Sequence, residues 1–254
     1  MKSILLSIFL LGGVLVQAQS KERKLVWADE FNQPELNQNF WTFKLGDGCP
    51  DLCGWGNNER QIYTDSNHVI RDGNLAIQAR LKDGVYTSSR ITTENQIQYT
   101  YGRFEVRAKL PVGQGVWPAF WMLGSNIKEV GWPLCGEIDI LEYVGKEPHE
   151  VFTSLHTQAS HGETINTKKT KFPKIEEGFH IYTADWDENQ IEFFVDGMSV
   201  YTFIPKNKSE AEWPFDQPFY VLLNLAVGGN FGGPDVDDSI FPQEFIIDYV
   251  RVYQ

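Results

Sequence analysis

Gly136-Glu137-Ile138-Asp139-Ile140-Leu141-Glu142-Tyr143-Val144 is the stretch on which the reading of this chain turns. Its β-branched and aromatic residues mark a strand, yet three acids interrupt it. Glu137 and Asp139 stand two apart and point to one face. Glu142 breaks that alternation and would point to the opposite face of a regular strand. One extra residue at Ile140-Leu141, a β-bulge, returns it to the face of the other two. Bulges re-aim side chains and concentrate beside active sites, so the broken alternation predicts a bulge here.

Three carboxylates on one face repel one another and raise each other's pKa values. A solvated polar strand face would tolerate them. Three acids within six residues among Trp-rich segments instead suggest a task. Two Glu residues on one strand suit glycosidic cleavage: one attacks the sugar carbon while the other protonates the leaving oxygen. Retention of configuration requires the two carboxyl groups about 5–5.5 Å apart. Alternate residues are separated by about 6.8 Å along a flat strand, so a curved sheet and the bulge must tilt the side chains together. Asp139 between them is placed to hydrogen-bond either Glu and hold their protonation states apart.

Upstream, Gly115-Val116-Trp117-Pro118-Ala119-Phe120-Trp121-Met122-Leu123 is almost wholly apolar, and Trp117, Ala119, Trp121 and Leu123 share one face at period 2. Beside the acids, with Trp132 between, these rings suggest a platform for pyranose C–H faces; an ordinary core face is the alternative. Gly54-Trp55-Gly56-Asn57-Asn58-Glu59 reads as a loop in which Trp55 and Asn57 would face a sugar. Asn224 interrupts the apolar run Phe219–Val227 and, if buried, requires a partner. It either ties down a loop or faces the cleft.

The 254 residues suffice for one large β domain. A net charge of −12 argues against nucleic acid and anionic membranes, and weakly against sulfated or uronic polysaccharides. With 8 Trp, 10 Tyr and 17 Phe, a neutral polysaccharide partner fits better. The chain is expected to act as a monomer. Residues 1–18 read as a secretory signal peptide: Lys2, an apolar run from Ile4 to Val16, and a small-residue cleavage site at Val16-Gln17-Ala18. A secreted or periplasmic domain over residues 19–254 follows. In an exported protein a Cys49–Cys53 disulfide is reasonable, although Cys-x3-Cys also resembles half a metal site. Cys135 reads as a small buried filler.

Strand signals recur along the chain: Leu25–Asn32, a hairpin of Val69–Ile70 and Leu75–Ala79 about Asp72-Gly73, Tyr86–Ile91 and Tyr101–Leu110. Val151–Thr157, which contains His156, follows the acidic strand. Phe179–Trp186, Gln190–Val195, Ser199–Phe203, Phe219–Val227 and Phe245–Tyr253 complete the set. No long 3.6-period segment appears, which predicts an all-β sandwich.

Glu137-Ile138-Asp139-Ile140-Leu141-Glu142, preceded by Trp132-Pro133 and Gly136, resembles the signature of glycoside hydrolase family 16. Its six-residue form is similar to that of the β-bulged, laminarinase-like members. The resemblance runs from Asp29-Glu30-Phe31 to Asp248-Tyr249-Val250-Arg251-Val252-Tyr253. It implies a β-jelly-roll of two curved antiparallel sheets with a cleft on the concave face. It further implies Glu137 as nucleophile, Glu142 as general acid/base and Asp139 as the assisting carboxylate. Trp117 and Trp121, with Asn57, Arg90, Trp132, His156 and Asn224, correspond to cleft-lining positions. A structural Ca²⁺ is implied at Glu30, the Gly73 backbone and Asp248, oxygen donors that suit this ion; no cofactor is implied for the chemistry. The implied activity is a retaining endo-β-1,3-glucanase on laminarin-like, and also mixed-linked β-1,3/1,4, glucans. Agarases, carrageenases and glucan transglycosylases share the same motif and are alternative readings. A non-catalytic β-glucan-binding module is disfavoured because all three acids are present.

Overall fold

A computed structural model describes residues 23–254. The expected signal peptide at 1–18 and its cleavage site lie outside the described residues. Among the described residues there are seventeen strands. They are β1 (Leu25–Asp29), β2 (Thr42–Lys44), β3 (Ile62–Tyr63), β4 (His68–Arg71), β5 (Asn74–Lys82) and β6 (Val85–Ser88). Next come β7 (Arg90–Thr92), β8 (Gly102–Lys109), β9 (Val116–Gly124), β10 (Glu137–Glu142), β11 (Glu150–His156) and β12 (Thr167–Lys171). The chain closes with β13 (His180–Trp186), β14 (Ile191–Val195), β15 (Met198–Phe203), β16 (Phe219–Val227) and β17 (Gln243–Tyr253). Two helices of one turn, α1 (Ile127–Val130) and α2 (Gly229–Gly232), sit in loops.

The strands form two sheets. One runs β15-β14-β13-β8-β17-β5-β6-β3, with β1 added beside β17 and β4 beside β5. The other runs β12-β11-β10-β9-β16-β7-β2. All pairings are antiparallel except β3 with β6. The main core lies between the sheets. Phe104, Val106, Tyr182, Phe193, Phe245 and Ile247 of the first meet Phe120, Met122, Ile138, Leu223 and Leu225 of the second. This is the all-β, jelly-roll sandwich that the strand pattern and the family resemblance imply.

Local chemistry explains most boundaries. The β4–β5 hairpin turns on Asp72-Gly73, both at positive φ, as a tight hairpin turn demands. The single run expected over Tyr86–Ile91 divides at Ser89: β6 belongs to the first sheet and β7 to the second. β12 carries Thr167-Lys168-Lys169-Thr170-Lys171, without an apolar alternation to announce it, and forms a lysine-rich edge of the kind that discourages further strand pairing. All nine residues of β16 are buried, which places this strand at the centre of the second sheet. Cys49 and Cys53 are disulfide-bonded. Cys135 is free and buried, its thiol pushed up to about 12 by burial and then by the Glu137 charge, so it behaves as inert filler.

Candidate active site

The second sheet has two chemically distinct faces, and β10 shows how the sequence separates them. Ile138, Ile140 and Leu141 all enter the core between the sheets. On a regular strand Ile140 and Leu141 would point in opposite directions. The register slips between Asp139 and Leu141 against β9, and between Asp139 and Glu142 against β11. This bulge lets both apolar residues face inward and turns Glu142 outward. The energetics favour it: burying an aliphatic side chain contributes about 1.5–3 kcal/mol. A straight strand would aim the Glu142 carboxyl into the apolar core, where an unpaired polar group costs about as much or more. Gly136 starts the strand at φ 76°, where a Cβ would lie 2.8 Å from Pro214 Cγ; only glycine fits that entry.

Register then places the acids. Glu137 pairs with Leu123 and His156, Asp139 with Trp121 and Ser154, and Glu142 with Ala119 and Phe152. Glu137 is half-buried, and Trp132 Nε1 donates to its Oε2 at 2.7 Å. Asp139 is 3% exposed and Glu142 is 9% exposed. Oxygens of Glu137 and Asp139 and a ring nitrogen of His156 all lie within 4.8 Å of one another. His156 Nε2 is 3.1 Å from Asp139 Oδ2. Burial first, then the Glu137 charge, pushes the Asp139 carboxyl well above its usual range. Burial also pushes Glu142 well up, and the Asp139 charge adds to it; His156 and the hydrogen bond from Trp117 act in the opposite direction. Glu142 is thereby biased toward the protonated form that a general acid needs.

The two tryptophans of β9 share the outer face, as their spacing predicts, but do different things. Trp117 is 9% exposed and packs among Val144, Phe152 and Ala226, with Phe231 edge-on at 5.5 Å. It is a wall rather than an open platform, and its Nε1 donates to Glu142 Oε1 at 3.1 Å. Trp121 is half-buried and donates to Asn224 Oδ1 at 2.7 Å. The Arg90 guanidinium lies between the Trp55 and Trp121 rings, 4.7 Å from each centroid, a cation–π sandwich. Arg90 Nε is buried without a hydrogen-bond partner. Asn224 satisfies its amide in both directions, since its Nδ2 donates to Tyr63 OH at 3.1 Å. Trp132 stands 45% exposed at the other side, with its ring against His156 and His161.

Glu137, Asp139, Glu142, Trp117, Trp121, Trp132, His156 and Asn224 therefore converge on the outer face of one sheet. Arg90 and Asn57 join them from β7 and the loop before β3. Sequence reasoning did not single out Glu59, Tyr63 or Phe231. Phe231 closes over Trp117 and Phe152; its only local signal was its place in a glycine-rich loop.

The residues expected to hold calcium lie in the other sheet, on or beside β1, β5 and β17. Both Glu30 side-chain oxygens accept from Arg251, from Nε at 2.7 Å and Nη2 at 2.9 Å, which leaves each oxygen a further lone pair and the Glu30 backbone carbonyl for a cation. Asp248 Oδ2 accepts from Arg107. Oxygens of Glu30, the Gly73 backbone and Asp248 are donors of the kind a hard cation takes.

Acids of unequal burial on one face, one biased toward its protonated form and the other half-exposed, are what cleavage of a glycosidic bond requires. On this two-sheet scaffold they define a glycoside hydrolase. The chain belongs to glycoside hydrolase family 16: the sequence model of Glycosyl hydrolases family 16 matches residues 56–250. It is similar to a laminarinase from Flavobacterium sp. UMI-01, with 64% identity and a TM-score of 0.90 over 91% of this chain and 100% of that one. The laminarinase catalytic domain of Thermotoga maritima MSB8 aligns with 42% identity and a TM-score of 0.86, over 91% of this chain and 98% of that one. A β-glucanase from Rhodothermus marinus is 39% identical across 91% of this chain and 85% of its own length.

Proposed function

We propose that this protein is a secreted, retaining endo-β-1,3-glucanase acting on laminarin-like glucans. The observation that carries the mechanism is the bulge in β10, which returns Glu142 to the face of Glu137. Glu137, half-buried and held by Trp132, attacks the anomeric carbon as the C–O bond breaks. Glu142, buried and biased toward its protonated form, gives its proton to the leaving oxygen. The resulting glycosyl-enzyme is resolved by water, whose proton returns to Glu142 as the sugar leaves Glu137. Asp139 lies between the two acids, next to Glu137 and His156, and modulates both charges.

The tryptophans suit a neutral glucan by offering flat apolar faces to ring C–H groups, and the stacked Arg90 by offering guanidinium N–H donors to hydroxyls. Among the described residues no helix is long and apolar enough to cross a membrane. Export rests on the signal-like segment at 1–18. A calcium ion held by Glu30, the Gly73 backbone and Asp248 would brace the β4–β5 turn against β1 and β17, with no part in the chemistry.

Reducing-end release from laminarin, lichenan, agarose and κ-carrageenan tests the substrate class, with laminarin expected to lead. Release only from the charged galactans overturns it, and early products longer than the substrate indicate glycosyl transfer instead. Glu137→Ser is expected to abolish turnover while leaving laminari-oligosaccharide binding intact; undiminished turnover refutes the nucleophile.

A further inference from the structure

Several residues of the candidate cleft share one unexpected neighbour. Glu59 follows the glycine–asparagine loop and is half-buried. Its Oε2 accepts from Gln61 Nε2 at 2.6 Å and from Tyr63 OH at 3.0 Å. Its Oε1 accepts from Asn57 Nδ2 at 3.5 Å. Tyr63 is 1% exposed; while its hydroxyl donates to Glu59, the same oxygen accepts from Asn224 Nδ2 at 3.1 Å. Asn224 in turn accepts from Trp121 Nε1. The direction of every bond is set: an indole and an amide donate inward, the phenol passes the polarity on, and a carboxylate terminates the chain. The hydrogen bonds of such a chain polarise and strengthen one another.

The surroundings fix the anchor in place. Gln61 is 1% exposed, and its Oε1 accepts from Val227 N at the end of β16. Asn230 N donates to Asn57 O, and Asn58 Nδ2 to Asn230 Oδ1. Gly229, at φ 82°, approaches so closely that a Cβ would lie 2.7 Å from Asn57 O. Arg90 makes no ion pair with Glu59 among the described residues; burial pushes the Glu59 carboxyl up, and the Arg90 charge opposes that push. The acid lies near Arg90 without taking up its N–H donors.

We propose that Glu59 is a positioning residue for the half of the cleft built on β9, β16 and β7, acting through Asn57 directly and through Tyr63 and Asn224 on Trp121. This rests on the glucanase reading for the identity of the ligand. Glu59 contacts no sugar in this scheme. It sets where Asn57, Trp121 and the Arg90 sandwich stand when a chain of glucose units binds them.

Tyr63→Phe deletes one oxygen from the relay and Glu59→Gln removes its charge while keeping its shape. Both are expected to raise KM for laminarin about five- to tenfold, the scale of one buried hydrogen bond, with kcat changed less than twofold. The KM effect should grow with oligosaccharide length. Parent turnover of laminarin is measured first: its absence refutes the glucanase reading by itself. Parent turnover with an unaltered KM in both variants refutes the relay alone, as does a fall in kcat that tracks a lowered Tm. A substrate-free arm keeps the relay testable in every case. In a ¹⁵N-tryptophan-labelled protein, Tyr63→Phe is expected to shift the Trp121 indole resonance, identified through Trp121→Phe, and to leave that of Trp117 in place. An unmoved Trp121 resonance overturns the proposal.

Discussion

Trp117→Phe isolates the contact that tunes the candidate proton donor. The variant keeps an aromatic ring against Phe231 and Phe152 and removes the Nε1–H that reaches Glu142 Oε1 at 3.1 Å. That hydrogen bond opposes the upward push of burial and of the Asp139 charge on Glu142. A hydrogen bond donated to a carboxylate favours its ionised form, so its loss raises the Glu142 pKa further. A bond to a charged group is worth about 1.5–3 kcal/mol, and one pKa unit corresponds to about 1.4 kcal/mol. The expected displacement is upward. The assay is kcat/KM on laminarin across pH, whose alkaline limb reports the acid of the free enzyme. The limb of the variant should extend to higher pH, with a lower plateau because a weaker acid transfers its proton less readily. A limb that stays in place, or moves down, refutes the assignment of Glu142 as the acid tuned by Trp117.

Two other perturbations probe the charge and the scaffold. Asp139 has a folded pKa raised by burial and then by Glu137; its stabilising contribution is therefore complete below the ordinary carboxylate pKa and is lost as pH rises toward the folded value, by about 1.4 kcal/mol per unit of elevation. Asp139→Asn should accordingly show a higher urea midpoint than the parent at pH 8, a difference that closes near pH 4, together with reduced turnover; equal midpoints at both pH values contradict the buried-acid account. If calcium is held at Glu30, Gly73 and Asp248, millimolar Ca²⁺ should raise Tm by about 5–10 °C over a chelator-treated sample, the scale of a ligand near a hundred times its Kd, without changing kcat; an unchanged Tm removes the ion from the fold.

The face of each β10 residue was legible in the sequence, because side-chain direction in a strand is a local, period-2 property. The failure of that period at Glu142 located the bulge before any partner strand was known. β9, β16 and β17 announced themselves in the same way, through apolar runs long enough to be read alone. β12 did not, since Thr167-Lys168-Lys169-Thr170-Lys171 has no buried face to impose a pattern, and the pair Ile62–Tyr63 in β3 is too short to carry one.

The site divides along the same line. That three acids and several indoles would share a surface followed from spacing and family resemblance. Which indole serves which acid did not. Trp117 is a buried donor to Glu142, a role set by packing across β9 and β10. Glu30 pairs with Arg251, 221 residues away, through both its side-chain oxygens. The Glu59 relay joins Tyr63 to Asn224 across 161 residues and Asn224 to Trp121 across 103. Sequence alone determined which side chains lie on which face, because strand geometry alternates them residue by residue. Only the tertiary structure decided their partners, because a hydrogen bond requires atoms to meet within about 3 Å, and which distant strands lie side by side is settled by burying the whole core at once.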